Sequence, residues 1–156
     1  MKIKPKKIMC AIDFSDSTNI TLSYGIAFSK RYGAELILCH IVQAREIGFG
    51  EPHFHIDLKK MERFNKEQIR QANVNLEELA KAYAIPFDII VRTGKAADVI
   101  AQVALEKEID MVISASHGKS GIKRFLIGSV TERLIKILYC PLLILNYQER
   151  HPGSDV

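Results

Sequence analysis

The chain is short of cysteine, and the three it has, Cys10, Cys39 and Cys140, show no C-x-x-C pairing. Each sits in or beside an apolar run. They are expected to be buried free thiols acting as small apolar residues, which excludes a disulfide framework or a zinc ribbon and agrees with a reducing compartment. No apolar run approaches the roughly 18 residues that a membrane-spanning helix needs. The first apolar run begins at Ile8, continues as a strand and carries no cleavage-site signature, so a cytoplasmic location is expected and no membrane partner. There is no G-x-G-x-x-G dinucleotide fingerprint. Gly118, Lys119 and Ser120 look like the end of a Walker loop, but Ile113 stands where its leading glycine must be. Internal repeats, low-complexity segments and an interdomain linker are also absent, which predicts a single domain over 1–147 and a polar tail over 148–156.

Basic residues are only slightly in excess. The formal charge is +4 and the pI about 9.0, and Lys2, Lys4, Lys6 and Lys7 supply much of it. A nucleic-acid binder calls for a basic stripe with interleaved aromatics, so nucleic acid is not an expected partner. At 156 residues, 47% hydrophobic and 26% charged, the chain can bury a substantial core unaided.

What is present is an alternation of strand and helix patterns. Lys7 to Asp13 is a short apolar run ending in a carboxylate, the pattern of a strand buried on both faces. A helix follows, with Ser15 or Asp16 as N-cap and Ile20, Tyr24, Ala27 and Phe28 on the expected buried face, and Gly33 stops it. Glu35 to Val42 is a second strand, apolar but for His40. From Gln43 to Asp57 periodicity disappears, with Gly48, Gly50 and Pro52 marking a loop. His53 and His55 there have a spacing that suits a metal but no third ligand nearby, so a solvated loop is expected. Leu58, Met61, Phe64, Ile69, Ala72, Leu76, Leu79 and Tyr83 form the apolar stripe of a long helix, expected to pack on the sheet. Phe87 to Arg92 is a third strand. Ala96, Val99, Ile100, Val103 and Ala104 mark a third helix, Ile109 to Ser114 a fourth strand, a fourth helix runs to about Leu138, and Pro141 to Leu145 is a fifth strand. This predicts an α/β fold, a five-stranded parallel sheet with helices on both faces; if it is doubly wound in the order 3-2-1-4-5, the first and fourth strands are neighbours. The apolar fifth strand would be an exposed edge, and pairing with another chain is expected there.

The stretch MVISASHGKSGIKRFLIGSV, Met111 to Val130, organises the rest. A strand breaks into Ser114, Ala115, Ser116, His117 and Gly118, and a second small pair, Gly128 and Ser129, opens the fourth helix. Small residues let backbone N–H groups approach a ligand, and a helix start favours an anion, so this is a candidate phosphate site. Ser129 with Glu132 also reads as a capping box. In a doubly wound sheet ligands bind beyond the carboxyl ends of the strands where the order reverses. Asp13 and Ala115 to Gly118 fall there, with Lys119, Lys123 and Arg124 able to add charge. Asp13 is open to two readings, a ribose contact or a turn and cap residue.

From the KIMCAIDFS opening through ILCHIV to CPLLIL, the chain resembles the universal stress proteins over nearly its whole length. Their ATP-binding members carry Gly, two residues, Gly, nine residues, then Gly and Ser or Thr. Here the frame is Ala115, Gly118, Gly128 and Ser129, with alanine for the first glycine. The resemblance implies an adenine nucleotide alpha hydrolase-like fold that binds ATP, with or without Mg²⁺, or a related adenine nucleotide. By position, Asp13 contacts ribose, Ala11 and Ile41 line the adenine pocket, and Gly118, Gly128, Ser129 and Val130 receive phosphates. Ala115 is compatible with binding if its φ is negative, at reduced affinity. The resemblance further implies a homodimer joined through the fifth strands and a stress-response regulator acting on an unidentified protein partner. His117 is the candidate base for hydrolysis and reads more readily as a structural histidine, so ATPase activity is expected to be slow at most. The alternative is a dimeric interaction module with an empty pocket.

Overall fold

The computed structural model describes residues 4–43, 58–84, 86–116 and 128–146. Among them, strands β1 (Lys7–Ala11), β2 (Glu35–Val42), β3 (Asp88–Thr93), β4 (Met111–Ala115) and β5 (Leu142–Leu145) alternate with helices α1 (Thr18–Tyr32), α2 (Leu58–Tyr83), α3 (Ala96–Glu106) and α4 (Ser129–Ile137). The expectations for His53 and His55, for His117, Gly118, Lys119, Lys123 and Arg124, and for the polar tail fall outside the described residues. All neighbouring strands are parallel, in the order β3-β2-β1-β4-β5 that the pattern predicts. Cys10 sits level with Leu38 on one side and Ile113 on the other.

The strands are continuously apolar because both faces are covered. Ile8 and Cys10 of β1 pack with Leu22 of α1 and Leu76 of α2. Met9, between them, packs with Ile100 and Val103 of α3 and Leu134 of α4. A constant hand of crossover requires this division, since α1 and α2 connect strands running one way across the sheet while α3 and α4 serve the return. The reversal falls between β1 and β4.

Three local expectations are corrected. α1 starts at Thr18 with Ser17 as N-cap, because the chain from Asp13 to Ser17 is tied into a turn of its own. Its buried face is Thr18, Thr21, Leu22 and Gly25, while Tyr24 is 44% exposed and Ala27 is exposed. Small residues at the sheet contact bring the helix close, so the bulky residues were a false guide to the packed face. α2 buries only its C-terminal half: Ala72 and Leu76 are buried, whereas Phe64 is 46% exposed. Helix ends follow sequence more closely. Gly33 takes the left-handed C-cap of α1 at φ +65°, after Lys30 and Arg31 in the last turn.

Candidate functional site

At the carboxyl end of β1 the chain leaves the sheet through Ile12, Asp13 and Phe14. Phe14 is held at φ +57°, a left-handed conformation costing a bulky residue roughly 1–2 kcal/mol. Two contacts offset that cost. The Phe14 ring packs against His40, centroids 4.6 Å apart, and His40 Nδ1 donates to the Ile12 carbonyl at 2.6 Å. Asp13 Oδ1 accepts from the Ser15 N–H at 3.0 Å and the Ser15 hydroxyl at 2.6 Å, and that hydroxyl lies 2.7 Å from Ser17 Oγ. Asp13 is therefore a turn residue through one oxygen. Among the described residues no bond reaches its other oxygen, Oδ2.

β4 delivers the opposite wall. Ala115 is the last residue of β4 and is not among the left-handed residues, so its β-carbon sits without backbone strain. Its carbonyl accepts from Thr131 Oγ1 at 3.0 Å, and the Gly128 N–H donates to the Ser116 carbonyl at 2.9 Å. These bonds set the start of α4 beside the end of β4. Gly128 is the N-cap and Ser129 the first helical residue, and among the described residues no side chain is recorded bonding the cap amides. The capping box is thereby corrected. Ser129 stands one place too late to cap, and Glu132 is drawn to Lys136 Nζ at 2.7 Å. The uncapped amides carry the positive end of the helix dipole.

Between these walls lies a cleft of about 710 Å³. Ala11, Asp13, Ile41, Ala115, Gly128, Ser129 and Val130 all line it. Each predicted site residue within the described segments is thus in one cleft, and Gly118 lies outside those segments. Gln68, Gln71, Ala72 and Asn75 of α2 close it from the side, and Ala96 and Ile100 of α3 line it too. Cys39 reaches the cleft wall, but burial pushes its thiol up to about 12, with Arg92 pulling weakly the other way. Such a thiol is neutral and not a nucleophile. Arg133 grips Asp98 at 2.6 Å, fastening α4 to the start of α3.

A model of the universal stress protein family matches residues 4–146. The chain belongs to the universal stress protein family. It is 29% identical to universal stress protein MJ0577 of Methanocaldococcus jannaschii, covering 94% of this chain and 98% of that one. The solved structure of MJ0577 superposes with a TM-score of 0.78 at 28% identity, covering 94% and 99% of the two chains. UspA from Lactobacillus plantarum shares the fold at a TM-score of 0.79 and 15% identity, over 93% of this chain and all of that one. A universal stress protein solved in complex with cAMP shares it at a TM-score of 0.61 and 20% identity, over 94% of this chain and 100% of that chain.

In this universal stress protein the cleft contains groups that sequence reasoning overlooked. His40 registered only as a polar break in β2, although a histidine in an otherwise apolar strand signals a bonded ring. Gln68, Gln71 and Asn75 of α2 fall outside the apolar stripe that the sequence marks. Their i, i+3, i+7 spacing was available as a signal, but nothing local says that this helix face overlooks a cleft.

Proposed function

We propose that this chain binds ATP or a related adenine nucleotide, with or without Mg²⁺, and acts as a cytoplasmic stress-response regulator whose partner contacts follow nucleotide state. The observation carrying this is the start of α4 at Gly128 and Ser129, where no described side chain caps the first amides, lining the same cleft as Asp13. An anion completes such a helix start, and a carboxylate with an unused oxygen accepts from ribose hydroxyls. The residues fit a nucleotide in other respects. The cleft volume of about 710 Å³ is in the range of small-molecule sites. Ala11 and buried Ile41 offer apolar surface to a base, and the amides of Ser129 and Val130 beside Gly128, with Gly118 from the motif, would hold phosphates, the Gly128 N–H being taken by the Ser116 carbonyl. Ala115 is without backbone strain, which supports binding at reduced affinity. The relative complexed with cAMP supports an adenine nucleotide ligand. Domain limits of 1–147 and at most slow ATPase activity belong to the same reading.

Isothermal titration of ATP, with and without Mg²⁺, tests it on the parent, Asp13→Ala and Gly128→Asp. Gly128 has φ −61° and ψ 146°, open to any residue, and aspartate is a preferred N-cap. Gly128→Asp should therefore keep or slightly raise the melting temperature while ATP affinity falls about tenfold or more, a carboxylate having taken the anion's place. Asp13→Ala should weaken binding as well. Saturable parent binding untouched by Gly128→Asp would refute the phosphate placement. No parent binding at millimolar ATP would leave the nucleotide-free interaction module.

A further inference from the structure

Beside the site the β1–β2 ladder stops, and a side chain supplies its next rung. Ala11 is the last residue of β1 in register with β2, opposite Cys39, and the Ile12 N–H still reaches the Cys39 carbonyl at 2.8 Å. The Ile12 carbonyl is taken by His40, whose Nδ1 lies 2.6 Å away. A carbonyl only accepts, so Nδ1 carries the proton, and turning the ring over would set a C–H against that oxygen. Ile12 is buried, so losing this donor would leave a carbonyl that water does not reach. The same imidazole packs against the Phe14 ring, centroids 4.6 Å apart, at the residue held at φ +57°. His40 thus grips the residues on either side of Asp13.

The bonds to Asp13 Oδ1 come from the Ser15 N–H and hydroxyl, and they shape the turn that follows Asp13. The backbone that leads into Asp13 and the strained residue that leads out of it are held from β2. That strand is a firm support, lying between β1 and β3, with Cys39 and Ile41 on either side of His40 buried in the core. We infer that His40 is a positioning residue: it aims the Asp13 carboxylate at the ribose hydroxyls of a nucleotide in the cleft, without supplying that contact itself. The inference rests on the nucleotide reading above. A histidine that merely closed the end of the sheet would stabilise the fold and leave the ligand preference alone, so the two roles give different results.

The test is titration of ATP and of 2′,3′-dideoxy-ATP, which lacks both ribose hydroxyls, into the full chain as parent, Asp13→Ala, His40→Leu and His40→Asn, with circular dichroism melts alongside. The parent should bind ATP about tenfold or more tighter than the dideoxy analogue, the scale of a hydrogen bond to a charged group. Asp13→Ala should bring that ratio to one. His40→Leu, with neither donor nor imidazole, should bring it most of the way by weakening ATP, while the dideoxy affinity stays that of the parent. His40→Asn sets an amide N–H where Nδ1 stood and should recover most of the ratio. A His40→Leu variant that keeps the parent's ratio, or a His40→Asn variant no better than it, would overturn this inference and leave nucleotide binding standing. Equal affinities for the two ligands in the parent would do the same. A parent that binds neither ligand overturns both readings. If His40→Leu fails to fold, Phe14→Gly decides: glycine takes φ +57° without strain and removes the ring that His40 holds, so the ratio should fall on an intact fold, and an unchanged ratio overturns the inference.

Discussion

Gly25 shows how much one missing side chain can specify. A β-carbon there would fall well inside the van der Waals contact distance to Cys10 Sγ and lie 3.2 Å from Leu36 Cδ1. Overpacking of this kind costs about 1–3 kcal/mol. Gly25→Ala should therefore destabilise the protein by that amount in urea unfolding, and the loss should shrink when Cys10→Ala removes the sulfur. Equal losses in both backgrounds would mean α1 is held off β1 by something else. The same residue explains why the packed face of α1 was illegible. A search for apolar periodicity weights Tyr24 and Phe28, but the side chain that sets the helix distance is the one Gly25 lacks. Ser129 misled in a related way, since a capping box depends on which residue leaves the helical φ/ψ region, and that boundary lies at Gly128.

At the scale of elements, β5 is the edge strand next to β4. The Val112 N–H bonds the Pro141 carbonyl and the Ser116 N–H bonds the Leu145 carbonyl, so Pro141, Leu143 and Leu145 direct their backbone groups to β4. Leu142 and Ile144 direct theirs outward. We propose that these outward groups join two copies into a homodimer. Ile144→Pro removes an outward donor and leaves the β4 ladder intact. Light scattering should show a dimer for the parent and a monomer for the variant, each with native circular dichroism. A monomeric parent would dispose of the idea. Strand existence was legible throughout, and Glu35 to Val42 matches β2 end for end. The stripe of α2 was legible as a stripe but not as two halves, because only the third dimension shows where the sheet stops and Phe64 passes beyond it.

For the whole molecule, two thiols in the core set a limit on alkaline stability. Burial pushes Cys10 and Cys39 from 9.0 up to about 12 in the folded state. Unfolded chains release these protons first, so the folded state binds more protons between those values and loses stability as pH rises. The contribution is complete below about pH 9 and is lost on approaching pH 12. Unfolding free energy should fall more steeply from about pH 8 to about pH 11 in the parent than in Cys10→Ala/Cys39→Ala. Parallel pH profiles would show that the thiols titrate normally. The doubly wound order was legible at this scale, since strands separated by helices leave few arrangements. The α2 side of the cleft was not, because it depends on how far a helix overshoots a sheet.

That overshoot has a mechanical consequence. α2 has 26 residues, about 39 Å at 1.5 Å per residue, and its buried grip begins only at Ala72. It is anchored through Leu76 into the core formed by Ile8 and Leu38, and the roughly four turns before Ala72 hold no buried residue among those described. A tilt of about 10° at that anchor carries the far end of those turns about 4 Å. Such a tilt would move the Phe64 and Gln68 side of the cleft relative to the strand ends that form its other walls.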